Sequence, residues 1–289
     1  MKRYIGVILC AAVIMMSGCT QEENNDNDKN DVTEITSAEV SGEISEEATG
    51  ETSEEDTEEV GEDEYGFKKR KVTIKESTGY LVSDDDTPIL YTFLTYPHID
   101  NPENLTGIKE LNLMYSMMDK QVADSYANTD IAYEANEQYL KDGENFVPFT
   151  AQCCISVTFN KGNVISLMVE REEFTVGSEG NYTRRGDTRY LDSNENVAIT
   201  DIFGMTEEEI TKRAAEGLKK MIEKEPDKYY SNAADKAEEV IGECIKNKGW
   251  YVKEGGVAFA AEPAVIAPYS TGCVEYVLGF MGNGEEFCK

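Results

Sequence analysis

Histidine is almost missing from these 289 residues: His98 is the only one. Any Ser-His-Asp or Cys-His catalytic arrangement would have to use it, yet no Gly-x-Ser-x-Gly nucleophile elbow exists to partner it. A partly buried structural role is expected for His98. No Cys-x-x-Cys pair occurs either, which with one histidine argues against zinc. Positive charge is the third shortage. The chain has 27 Lys and Arg against 57 Asp and Glu, a formal net charge of −30. It therefore lacks the basic surface that nucleic acid and anionic lipid headgroups require.

What is there begins with a leader. Lys2 and Arg3 precede an apolar run that starts near Tyr4, ends near Met16 and closes on Ser17-Gly18-Cys19. A basic start, roughly 12 apolar residues and small residues before a cut describe a secretory signal. The run falls short of the about 20 residues that a spanning helix needs. Cysteine directly after Ser-Gly supplies a thiol that can take a diacylglyceryl group, so Cys19 is the expected lipidation site. A signal peptide over 1–18 and a bilayer anchor through acyl chains on Cys19 would place the rest of the chain on the extracellular side of the cell membrane.

Over 19–66, nearly every third residue is Asp or Glu, Lys29 is the only base, and apolar residues stand singly. Such a segment buries too little apolar surface to offset the entropy of ordering it, so a disordered acidic tether is expected. Roughly 47 residues span at most about 150 Å when fully extended, and a neutral flexible chain of that length averages about 40 Å. The remainder, 67–289, is still acidic by about a dozen net charges. Its opening Lys68-Lys69-Arg70-Lys71 run reads as a solvated edge, with wall polyanions as the other candidate contact.

Residues 71–76 and 88–96 alternate or cluster as strands do, the second ending at Pro97. Ile108, Leu111, Tyr115, Met118, Val122 and Tyr126 then fall at helical spacing. A hairpin follows, with strands over 153–159 and 164–170 flanking Asn160-Lys161-Gly162-Asn163. More strands are expected at 173–176 and 182–191. Thr206 and Glu209 form a capping box for one helix. A second helix is expected over 233–247, capped by Asn232 and stopped by Gly249. Strands at 257–261 and 273–280 close the chain. Strand and helix runs come in blocks, so the fold class is α+β. Antiparallel sheets should pack against several helices, as one unit or as two intimately packed subdomains, 67–150 and 151–289.

Five cysteines remain beyond the leader and Cys19: Cys153, Cys154, Cys244, Cys273 and Cys288. The odd count leaves at least one thiol free. Cys153 and Cys154 adjoin within a strand and point to opposite faces, so one at most belongs to a core. Asp192-Ser193-Asn194-Glu195-Asn196 has the alternating oxygens of a calcium loop, but Val197 and Phe203 stand where glycine and glutamate are required. A turn closed by Asp and Asn side chains is expected there, with no metal and no cofactor. Among 16 tyrosines, Tyr115 and Tyr126 lie on the apolar helical stripe and suit a core margin. Tyr229 and Tyr230, in a loop, are the candidate partner-binding pair, a core margin and an interface being equally open for them.

Three stretches carry a resemblance: Leu94-Thr95-Tyr96-Pro97-His98-Ile99 with the helix after it; Asn163-Val164-Ile165-Ser166-Leu167 running on through Tyr190-Leu191-Asp192 and Ile199-Thr200-Asp201-Ile202-Phe203; and Ala264-Val265-Ile266-Ala267-Pro268-Tyr269-Ser270-Thr271-Gly272. Together they resemble the paired extracellular domains of unknown function in the anti-sigma-V lysozyme-receptor ectodomain of Gram-positive bacteria. The same pair precedes the catalytic domain of some peptidoglycan deacetylases. Where that family often has Gly-Gly-Ala-His-Gly, this chain has Gly177-Ser178-Glu179-Gly180. The resemblance implies an extracellular binding or sensing module, without catalytic residues, for a cationic lysozyme-like protein or a wall component. The alternative is an envelope hydrolase that uses paired carboxylates.

Overall fold

The computed structural model describes residues 67–83, 86–127, 131–142, 146–174, 181–281 and 286–288; side chains of 119–131, 173, 174 and 181 are not described. The leader, Cys19 and the acidic segment lie outside the described residues.

Five strands form the first sheet in the order β1 (Val72–Val82), β2 (Pro88–Ile99), β3 (Phe149–Lys161), β4 (Val164–Phe174) and β5 (Asn181–Tyr190). Two helices, α1 (Thr106–Ala127) and α2 (Ile131–Asp142), connect β2 to β3. A crossover of that length lets β2 and β3 run parallel, whereas the other pairs in the sheet are antiparallel. Leu90, Leu94, Ala151, Cys153, Ile155, Ile165 and Leu167 supply the apolar face beneath the helices. Ile108, Leu111, Tyr115 and Met118 of α1 descend onto it at helical spacing. The side chains of Val122 and Tyr126 lie outside the described residues.

The β3–β4 hairpin turns over Gly162 and Asn163 alone, because Lys161 already pairs with Val164. Gly162 has φ 60°, and a Cβ there would lie 2.3 Å from the Cys288 carbonyl oxygen, so both conformation and space require glycine. Residue 173 belongs to β4, and 175–180 lie outside the described residues.

The second sheet orders β6 (Trp250–Lys253), β7 (Gly256–Ala261) and β8 (Val274–Gly279). Strand β6 is an addition to the expected set. Against this sheet pack α4 (Glu207–Lys224) and α5 (Ala237–Lys246), with the short α3 (Ile199–Phe203) before them. The Thr206–Glu209 capping box is present in both directions. Helix α5 starts four residues later than expected, because the 231–236 backbone forms successive turns and Asn232 offers its carbonyl, not its side chain, to Lys236. At the other end Lys248, at φ 55°, takes the left-handed position assigned to Gly249. The Gly249 N–H then reaches back 2.7 Å to the Cys244 carbonyl.

The fold is α+β: among the described residues, two sheets pack against five helices. A division at 150/151 runs through β3, whose first residues pair with β2. The apolar interior divides differently. One core lies between the first sheet and α1–α2, and the other lies among α3–α5 and the second sheet. Phe159 and Val164, at the turn end of β3–β4, belong to the second core, so the hairpin is shared by both.

Candidate polar corner between the two sheets

Residues opposite one another in register share a face. The face of the first sheet away from α1 and α2 therefore carries three readable rows. One is Tyr80, Tyr91, Thr150; the next is Thr78, Phe93, Gln152, Glu172, Tyr182; the third is Glu76, Thr95, Cys154, Glu170, Arg184. Beyond them the same face is covered by β6. Met168 packs against Tyr251, Ala258 and Ala260. The Val252 N–H donates to Ser166 Oγ at 2.9 Å, and Thr158 Oγ1 donates to the Val252 carbonyl at 2.7 Å. The Gly186 N–H donates to the Lys248 carbonyl at 2.8 Å, where the backbones approach so closely that a Cβ on Gly186 would sit 1.7 Å from the Trp250 oxygen. The second sheet thus closes one end of the face and leaves the three rows only partly covered.

Charged groups gather in the corner so formed. Glu170 accepts from Arg184 Nη2 at 2.7 Å, from Arg184 Nε at 3.1 Å and from the Tyr182 hydroxyl. Arg184 Nη1 also lies 3.7 Å from Glu275 of β8. Glu275 accepts from the Tyr251 hydroxyl and from Lys253 Nζ at 2.8 Å. Burial works to raise the Glu275 carboxyl, but the hydrogen bonds from Lys253 and Tyr251 and the Lys253 and Arg184 charges outweigh it and hold it below the usual range. Burial, reinforced by the neighbouring carboxylates, pushes the Tyr182 and Tyr251 hydroxyls up. Glu172, two residues from Glu170 on the same face, is pushed up by burial, against the 3.2 Å hydrogen bond it accepts from Gln152.

Cys154, Cys244 and Cys273 are not activated as nucleophiles. None of the five cysteines is in a disulfide, and burial is the main cause pushing Cys154 up, Cys273 up to about 11 and Cys244 up to about 12. Cys153 is buried and Cys154 is half-buried on the opposite face, as adjacent strand positions require. Among the described residues, no three His, Cys, Asp or Glu side chains converge on a possible metal position. The 192–196 turn is closed by backbone bonds from Asn194 to Tyr190 and from Tyr190 to Glu195, with Arg189 Nη1 donating to the Asn194 carbonyl at 3.0 Å. The same guanidinium reaches Asn194 Oδ1 at 3.4 Å, and the Glu195 N–H donates to Ser193 Oγ at 3.3 Å, so the expected Asn side chain takes part in the turn together with Ser193 and Arg189.

The other candidates lie elsewhere. His98 is exposed on β2, not partly buried. Tyr229 packs at the margin of the second core, while Tyr230 is 40% exposed and donates its N–H to the Ile266 carbonyl. Neither stands on the sheet face. Tyr115 is a core residue proper: its hydroxyl donates to Asp187 Oδ2 at 2.7 Å, and Arg189 Nε donates to Asp187 Oδ1 at 2.7 Å, tying α1 to β5. Burial first, then the Asp187 charge, drives that hydroxyl far above its ordinary value. Of the basic run, Arg70 is not solvated. Its side chain is 12% exposed and pairs with Glu103, which also faces Lys68 at 3.7 Å. The open depression of about 340 Å³ beside them is lined by both signs of charge, including Asp100 and Glu103.

The rows escaped the sequence reading for a definite reason. Alternation in Gln152/Cys154, Glu170/Glu172 and Tyr182/Arg184 was visible, but which of these lie side by side depends on strand register.

No protein-family model matches the chain, and no curated protein matches it. Solved structures do. A member of the DUF3298 family from Bacteroides fragilis superimposes with a TM-score of 0.56 at 14% sequence identity, over 73% of this chain and 90% of that one. A DUF3298 family protein from Pseudomonas aeruginosa covers the same shares at 13% identity, with a TM-score of 0.38. The Bacteroides structure shows that this chain shares its fold with a domain of unknown function.

Proposed function

We propose that this chain is a membrane-anchored extracellular lipoprotein that acts as a binding or sensing module in the cell envelope, with a cationic lysozyme-like protein as its ligand. The observation that carries this reading is the acidity of the helical layer. Residues 106–142, which build α1 and α2, have seven acidic and three basic side chains. On those helices Leu113 is 60% exposed, Met117 50% and Leu140 58%. Apolar side chains exposed on an acidic layer suit a basic protein partner, with charge steering the encounter. The resemblance to the lysozyme-receptor ectodomain supports the same partner class. The mutual pairing of ionisable groups in the polar corner, with protonated thiols, supports recognition without turnover.

Calorimetry of the mature protein in detergent against several cationic lysozymes is the test. Saturable binding at 0.1 M salt should weaken at 1 M, as the Debye length falls from about 10 Å to about 3 Å. Absence of heat and saturation against all of them would reject the partner class.

One observation favours the alternative envelope hydrolase. Glu170 and Glu172 share a face, the first held by Arg184 and the second pushed toward the protonated form, a division that acid–base pairs also use. Turnover of a wall substrate that disappears in Glu172→Gln would establish that reading in place of binding.

A further inference from the structure

We infer that the partly covered face of the first sheet binds an uncharged glycan strand of the envelope. This site is separate from the acidic helical layer and does not rest on the cationic-protein reading.

Three observations combine. First, the face presents rings. Tyr80 and Tyr91 are cross-strand neighbours, 57% and 44% exposed, and Phe93 follows Tyr91 on the same face with Tyr182 at the far side of its row. Successive same-face residues stand about 6–7 Å apart along a strand and about 4.8 Å apart across strands, so these rings flank a continuous strip. Second, the strip between Phe93 and Tyr182 is polar: Gln152 and Glu172 lie there, hydrogen-bonded to each other. Third, both cations of the corner are engaged: Glu170 and Glu275 share Arg184, and Glu275 also takes Lys253.

That pattern selects among ligands. A polyphosphate would need free cations, and Arg184 and Lys253 are both committed to carboxylates. A basic segment would find Glu170 and Glu275 already held by those two cations. A protein hot spot would need a dry apolar centre, and the centre here is an amide and a carboxyl group. A pyranose chain has what the face lacks and matches what it has. Its C–H faces stack on aromatic rings, while its hydroxyl and acetamido edges exchange hydrogen bonds with planar amide and carboxyl groups.

Chitohexaose is the probe, titrated into the mature protein in detergent and followed by calorimetry. Saturable binding is expected, with an affinity unchanged between 0.1 M and 1 M salt. Tyr91→Ala and Glu172→Gln should each weaken it at least about fivefold, the loss of one ring or polar contact. Tyr91 is exposed enough that its variant should melt with the wild type, and cationic lysozyme binding should survive in both variants. Failure of either reading can thus be told from failure of the other. No saturation by the wild type, wild-type affinity in both variants, or an affinity that falls with salt would each overturn the assignment.

Discussion

Replacing Gly186 by alanine tests the joint on which the polar corner depends. Gly186 pairs with Met168 in the first sheet, and its N–H reaches the Lys248 carbonyl just ahead of β6. A Cβ added there would meet the Trp250 oxygen at 1.7 Å, the Trp250 carbonyl carbon at 2.6 Å and the Tyr251 Cβ at 2.9 Å. Two of these are backbone atoms, so no rotamer change relieves the clash. The sheets must part by on the order of 1–2 Å to restore ordinary contact. That shift breaks the Gly186–Lys248 bond and stretches the Ser166–Val252 and Thr158–Val252 bonds beyond hydrogen-bonding length. Three such bonds contribute about 1 kcal/mol each, and overpacking strain adds about 1–3 kcal/mol. Partial relaxation leaves an expected loss of about 3 kcal/mol or more, read as a lower urea midpoint and a melting temperature reduced by about 6–12 °C. Gly242→Ala is the control: it lies within α5 with nothing inside 4 Å of its added Cβ. That change should be neutral or stabilise by up to about 1 kcal/mol. If Gly186→Ala unfolds within about 0.5 kcal/mol of the wild type, the two sheets do not meet as described.

Mass spectrometry of the mature N-terminus should find diacylglyceryl on Cys19, and Cys19→Ser should leave the protein unprocessed or release it from the membrane; a free Thr20 would refute the anchor. Stability should decline toward both pH extremes for reasons located in the corner. Glu275 is held below the usual carboxyl range, so its contribution is present above the unfolded value near about pH 4.3 and is lost as pH falls through the lower folded value. Tyr182 and Tyr251 are raised, so theirs is present below about pH 10 and is lost as pH climbs toward the folded values. Urea midpoints measured across pH should show both limbs, and Glu275→Gln should flatten the acid one; an unaltered acid limb in that variant would show that the ion pairs contribute nothing.

Much of the local structure was legible from single stretches of chain. The α4 helix with its Thr206–Glu209 box, the β3–β4 hairpin and the buried stripe of α1 each follow from interactions between residues within a few turns of one another. Errors arose where two local solutions lie close in energy. Asn232 reads as a helix cap, yet its neighbours settle into successive turns. Lys248 carries a left-handed conformation that glycine beside it would adopt at less cost. Charge was legible too, because it is additive along the chain: the acidic segment and the basic run at 68–71 need no fold to be seen, although only the fold pairs Arg70 with Glu103.

By itself, the sequence determined the α+β class and the polarity alternation within each strand, and it carries the apolar run ahead of Cys19 on which the proposed anchor rests. Only the tertiary structure decided that β2 and β3 are parallel neighbours and that one face of the resulting sheet is only partly covered. It alone placed Glu170 and Arg184 beside Glu275. The bond between Val252 and Ser166 that locks this corner joins residues 86 positions apart. Periodicity assigns each side chain to a face of its own strand, but register and crossover are chosen by burial summed over the whole sheet, and no short window of sequence contains that sum.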